Sequence, residues 1–162
     1  MNVKMKMSGE EDFCHLKTVY ELLFTENRNS LVAYKSMEEL LKEFLNAQAG
    51  LLFVDSELVA YSSFKVWNSC VEMMSLVVKH EFRGKGLATK LRFFVLQSAL
   101  KTFPDKSVVS LPNEYSVNIV ERNGFVSANK LTMPMELRES CVNCLEESDF
   151  PDCHCFYYVL PK

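Results

Sequence analysis

The chain has 162 residues, 48% of them hydrophobic and 24% charged, with a formal net charge of −3. That length suits one domain with a buried core, and the composition is that of an ordinary soluble protein. The acidic balance counts against nucleic acid as a partner, and residues 1–7 lack the apolar core of a signal peptide. No apolar run reaches the length of a membrane span, so a cytoplasmic protein is expected.

Val3, Met5 and Met7 alternate with polar residues, the pattern of a half-buried edge strand. Phe13, Leu16, Val19 and Leu23 recur at helical spacing and predict a helix over about 10–26, with Ser8 or Asp12 as its cap. Ser36 and Glu39 form a capping box for a second helix that should stop near Gly50. Strands are predicted over 51–54 and 58–67, joined by the polar turn Asp55-Ser56-Glu57, and over 70–78. Leu91, Phe94, Val95 and Ala99 predict a helix over 87–102 that ends before Pro104. A strand over 107–111 and a helix over 115–123, closed by Gly124, come next. Residues 125–137 read as extended and 156–160 as a last strand. Cys14 and Cys70 read as buried thiols, and Trp67 as packing at a strand end. This order gives a mixed α/β (α+β) fold.

The most informative segment is Leu76, Val77, Val78, then Lys79-His80-Glu81-Phe82, then Arg83, Gly84, Lys85, Gly86, Leu87, Ala88 and Thr89. It passes from a strand through a glycine-rich turn straight into a helix. The first N–H groups of a helix lack intrahelical partners, and with the helix dipole they make a seat for phosphate. Gly84 and Gly86 let the backbone approach a ligand closely, while Arg83 and Lys85 can add charge. A Walker loop is absent, and Thr89 stands where a dinucleotide fingerprint needs its third glycine.

This stretch resembles motif A of the GNAT superfamily of acyltransferases, Arg/Gln-x-x-Gly-x-Gly/Ala, here Arg83, Gly86 and Ala88. Leu76 and Val78 resemble the strand whose backbone holds the pantetheine arm in that family. Asn113, Ser116, Gly124 and Phe125 resemble its Asn-x-x-Ala-x-x-x-Tyr-x-x-x-Gly-Phe segment. The resemblance implies a GNAT-like mixed, mostly antiparallel sheet flanked by helices over residues 1–137; the Cys-rich tail at 138–162, which the family does not need, is expected to pack on the same domain. It also implies acetyl-CoA as cosubstrate, bound by Leu76, Val77, Val78, the 83–89 loop and Asn113, and a primary amine as acceptor. The sequence leaves a homodimer open.

Transfer to an amine needs a base for the amine, and Glu72 is the candidate. It lies six residues before Val78 on one strand, so the two should share a face. A family glutamate that it resembles serves as general base. The alternatives are an exposed strand glutamate at 72, or His80 as base. Val120 stands where the resemblance places a tyrosine that protonates the leaving thiolate, and valine cannot donate. Water then supplies the proton, or the protein is a slow enzyme, or it is an acyl-CoA-binding sensor.

Four of the six cysteines, Cys141, Cys144, Cys153 and Cys155, crowd into fifteen residues. Two close thiolate pairs can enclose one tetrahedral zinc ion, and in a chain with no secretion signal metal comes before disulfide. The alternatives are four reduced thiols in a loose loop, or a redox pair.

Overall fold

The structure, a computed structural model, describes residues 2–28, 32–140 and 155–162. Among these residues the strands are β1 (Val3–Met7), β2 (Ala49–Val54), β3 (Glu57–Val66), β4 (Cys70–Val78), β5 (Ser107–Ser110), β6 (Val126–Ser127) and β7 (Tyr158–Val159). The helices are α1 (Leu16–Arg28), α2 (Met37–Leu45), α3 (Leu87–Thr102), α4 (Val117–Arg122) and α5 (Met135–Ser140). The strands make one sheet in the order β1-β2-β3-β4-β5-β7-β6. Among its ladders only that of β4 and β5 is parallel; the others are antiparallel. That is the fold expected above, and no helix among the described residues is long and apolar enough to cross a membrane.

The sheet separates two cores. On one face α3 packs Leu91, Val95, Leu96 and Ala99 against Leu52, Ala60, Phe64, Val71 and Met73. On the other, Val19 and Leu23 of α1 and Leu40 and Phe44 of α2 cover Leu51, Tyr61 and Val77. Each such buried aliphatic or aromatic side chain contributes about 1.5–3 kcal/mol of transfer free energy. Ser36 caps α2 in both directions: its hydroxyl accepts from Glu39 N at 3.2 Å, and Glu39 accepts from Ser36 N at 2.8 Å. The hairpin turn between β2 and β3 holds Asp55 at φ 47° and Ser56 at φ 74°, the paired left-handed residues of a tight two-residue turn.

Four expectations need correction. Residues 125–137 are not extended: the Asn129 side chain accepts from Leu131 N at 2.9 Å, a tight turn follows, and Pro134 leads into α5. In that helix Glu136 accepts from Asn68 N and Ser69 N at 3.0 and 2.9 Å, tying α5 to the β3–β4 turn. The second helix stops at Leu45, ahead of Gly50, which sits inside β2. A Cβ at Gly50 would lie 2.2 Å from Val95 Cγ2, so the glycine is there to let α3 approach. Cys14 is exposed, whereas Cys70 is buried.

The fourth correction concerns Glu72 and Val78, which lie on opposite faces. Ser62 pairs with Leu76 but Ser63 pairs with Met74, so Ser75 is an extra residue in β4. A bulge of this kind shifts the side-chain alternation by one. Val71, Met73 and Val78 therefore all pack in the α3 core, while Val77 and Glu72 face the other side of the sheet.

Candidate active site

The β4–β5 ladder runs only from Cys70↔Ser107 to Met73↔Ser110, after which the strands part. Beyond that fork lies a cleft of about 440 Å³. Leu76, Val77 and Val78 form one wall, and Asn113, Tyr115, Ser116, Ile119 and Arg122 the other. Arg83, Gly84, Gly86, Leu87, Ala88 and Thr89 close its end.

That end suits an anion. Gly86 is the N-cap of α3 with φ 72°, and no side chain caps the helix, so its first N–H groups are left for a ligand. Gly84 also has a positive φ, 74°, and an added Cβ at either glycine would meet nothing within 4 Å. These residues fit the phosphate groups of CoA through backbone donors. The charged side chains of the loop are otherwise engaged. Arg83 pairs with Glu26 of α1 at 2.6 Å and donates from Nε to Val78 O at 2.9 Å. Lys85 does not line the cleft; it folds back onto Glu81 O at 3.1 Å and over the Phe82 ring. Asn113 organises the opposite wall, its Oδ1 accepting from Tyr115 N, Ser116 N and the Ser116 hydroxyl at 3.0–3.2 Å.

Glu72 sits within the paired part of β4, between Lys65 on β3 and Val109 on β5. It is 5% exposed and accepts from Trp67 Nε1 at 2.9 Å. Burial pushes its carboxyl above the usual carboxylate range, against the Trp67 hydrogen bond and the charges of Lys65, Lys35 and Arg92. Lys65 in turn stands 3.9 Å over the Trp67 ring. Neither Glu72 nor His80 is among the residues lining the cleft: Glu72 is buried in the sheet below the fork, and His80 is exposed.

A match to the profile of the acetyltransferase (GNAT) family covers residues 16–125, two thirds of the chain. The chain belongs to the acetyltransferase (GNAT) family. A comparison with curated proteins finds no match. Among solved structures the GNAT chain resembles N-acetylglutamate synthase from Neisseria gonorrhoeae complexed with coenzyme A and N-acetyl-glutamate, at 18% identity and a TM-score of 0.76. All of the chain is covered in that match but only 36% of the synthase, so it spans about a third of that protein's length. It also resembles the PaiA N-acetyltransferase from Thermoplasma acidophilum in complex with coenzyme A, at 17% identity and TM-score 0.67, with both chains fully covered. The ribosomal-protein-S18-alanine N-acetyltransferase from Escherichia coli matches at 12% identity and TM-score 0.64, over 99% of this chain and 94% of that one. At these identities the likeness is one of fold.

No tyrosine of α4 reaches the cleft. Val120 is 2% exposed and packs in the α3 core. Tyr157 is buried beside Cys70, Val109, Met133 and Leu137, and the Tyr158 hydroxyl donates to Glu121 at 2.8 Å, so neither lines the cleft. Tyr115 does line it, at the rim, 67% exposed. Of the four tail cysteines, Cys141, Cys144 and Cys153 lie outside the described residues, and Cys155 alone is placed, just before β7.

Several buried polar residues at or near the cleft and sheet were not singled out from the sequence. Glu26 reads as a helix charge, yet it is buried at the cleft, and its Oε2 has no hydrogen-bond partner among the described residues. Lys35, Glu43, Tyr61 and Ser63 form a buried polar cluster under α2, with Lys35 Nζ bonded to Glu43 and donating to Ser63 Oγ at 3.0 Å. Arg92 is 4% exposed on α3. Its one signal in the sequence is its place on the Ala88–Leu96 stripe, four residues from each.

Proposed function

We propose that the chain transfers the acetyl group of acetyl-CoA to a primary amine. The observation that carries this is the fork of β4 and β5, opening into a cleft that ends on the uncapped start of α3 at Gly86. In this reading the N–H groups of the 84–89 loop hold the phosphates of CoA, and the free edge of β4 at Leu76, Val77 and Val78 holds its arm. The Arg83–Glu26 pair fixes the loop from behind and leaves the phosphates chiefly to the backbone.

Acetyl-CoA is the cosubstrate and supplies an activated acyl carbon. Glu72, ionised, takes a proton from the acceptor amine directly or through water, and burial makes it a stronger base than an ordinary carboxylate. The amine nitrogen then bonds to the acetyl carbon, the carbon–sulfur bond breaks, and the electron pair stays on sulfur. Release of CoA thiol from acetyl-CoA across a panel of amino acids, polyamines and peptide N-termini, with the product mass recorded, tests the reading. One amine acetylated per thiol released supports it; no transfer to any amine, with CoA still bound one to one, favours a binding module. The buried Val120 is the observation behind that second reading.

We also propose that Cys141, Cys144, Cys153 and Cys155 hold one structural zinc ion. The sequence spacing of two close cysteine pairs, eight residues apart, supports this, and four thiolates leave no open position for substrate. Stoichiometric zinc in protein purified without chelator is expected, with a lower Tm on chelation. No zinc, and unchanged stability in Cys141→Ser and Cys153→Ser, would remove the metal.

A further inference from the structure

We propose that Arg92 is a positioning residue for thioester cleavage: it fixes the fork of β4 and β5 and sets a buried positive charge at the leaving sulfur. The proposal rests on the cofactor reading above.

The fork is where the parallel ladder stops, at Met73↔Ser110. Arg92 occupies the next rung. Its guanidinium donates to Met73 O at 2.8 Å, to Met74 O, and to Ser110 Oγ at 2.8 Å. It thus satisfies the last carbonyl of the paired stretch and the first of the free one, and it reaches the β5 side through Ser110. A strand pair that simply frayed here would leave carbonyls unpaired at the base of the cleft, which is costly in a buried place. Arginine, with donors on a rigid fork, can bridge three acceptors at once.

The same geometry places charge. No carboxylate forms an ion pair with Arg92 among the described residues, and its Nε has no hydrogen-bond partner there. Across the sheet from α3, Glu72 is the charge that acts on Arg92, with Lys65 and Lys35 beside it, while Glu26, Arg83 and Arg122 line the cleft above the fork. Burial lowers the Arg92 guanidinium to about 10, with Glu72 opposing, so it is still cationic at neutral pH. An arm laid along Val78, Val77 and Leu76 would run toward the fork framed by Met74 and Ser110, which lie just past the residues lining the cleft. The electron pair left on sulfur when the carbon–sulfur bond breaks would form next to this cation. Val120 offers that sulfur no proton, and the field of Arg92 lets it leave as thiolate and collect its proton from solvent.

The test uses CoA itself, bound to the full chain, with its thiolate followed by ultraviolet absorbance across pH. In the parent protein the bound thiol should ionise at least about one unit below free CoA, the effect of a cation a few ångströms away. Arg92→Gln keeps donors but not charge and should abolish the shift; Arg92→Lys should keep it. Should Arg92→Gln fail to fold, Arg92→Met gives the neutral comparison. A bound thiol that ionises as free CoA does, a shift that survives in the neutral variant, or one lost in Arg92→Lys would each overturn the proposal. Absence of CoA binding by the parent, read by calorimetry, would instead overturn the cofactor reading.

Discussion

Glu72 is held between burial, which favours its neutral form, and the Trp67 hydrogen bond and nearby cations, which favour its charge. Burial prevails, so the folded protein holds the Glu72 proton more tightly than the unfolded chain. Stability from this group is therefore present at acidic pH and lost as pH rises from the unfolded value through the raised folded one. Glu72→Gln should then have a Tm at neutral pH at or above that of the parent, the gain vanishing in acid, as thermal melts at two pH values would show. The same substitution should lower kcat/KM by about 10²-fold and remove the acid limb of the pH–rate profile. A profile with its acid limb intact would place the base elsewhere. Lys35, Glu43 and Tyr61 present the opposite case, a buried ion pair with a tyrosine bonded to the same carboxylate and held neutral by burial and that charge. Glu43→Ala strands a buried ammonium and should cost about 3–5 kcal/mol in urea unfolding. Neither environment was legible in the sequence. Trp67, Lys65 and Glu72 meet only through strand pairing, and Lys35 looks like any loop lysine until α2 covers it.

At the scale of elements the periodic segments were the readable ones. The capping box at Ser36, the α3 stripe and the three central strands follow from local pattern, and each lies where expected. The bulge at Ser75 was not readable, because nothing in Met73-Met74-Ser75-Leu76 marks which residue is left unpaired. It turns Val78 toward α3 and leaves Glu72 on the opposite face, so the proposed base and the proposed cofactor strand face two sides of one sheet. Gly50 was read as a helix stop because its actual constraint, the approach of Val95, comes from a helix far along the chain. Gly50→Ala should destabilise by about 1–3 kcal/mol through overpacking, with CoA binding retained. An unaltered denaturant midpoint in the Gly50→Ala protein would show that α3 sits farther from β2 than this packing has it.

For the molecule as a whole, apolar cores pack on both faces of a sheet that has seven strands among the described residues, and the cleft is the space that the fork of β4 and β5 opens. The cofactor side was legible because strand, glycine turn and helix follow one another in the chain. The surroundings of Glu72, the proposed base, were not, being assembled from β3, β4 and the segment before α2. The central claim is that the cleft seats CoA with its phosphates on the start of α3. Gly86 is the place to test it: a side chain there meets no protein atom within 4 Å, and aspartate tolerates a positive φ better than most residues. Calorimetric titration of CoA into the parent and Gly86→Asp proteins is the direct measurement. One-to-one binding by the parent, weakened at least about tenfold (about 1.4 kcal/mol) in a folded Gly86→Asp protein, is the predicted result. Equal affinity in the two proteins would contradict it.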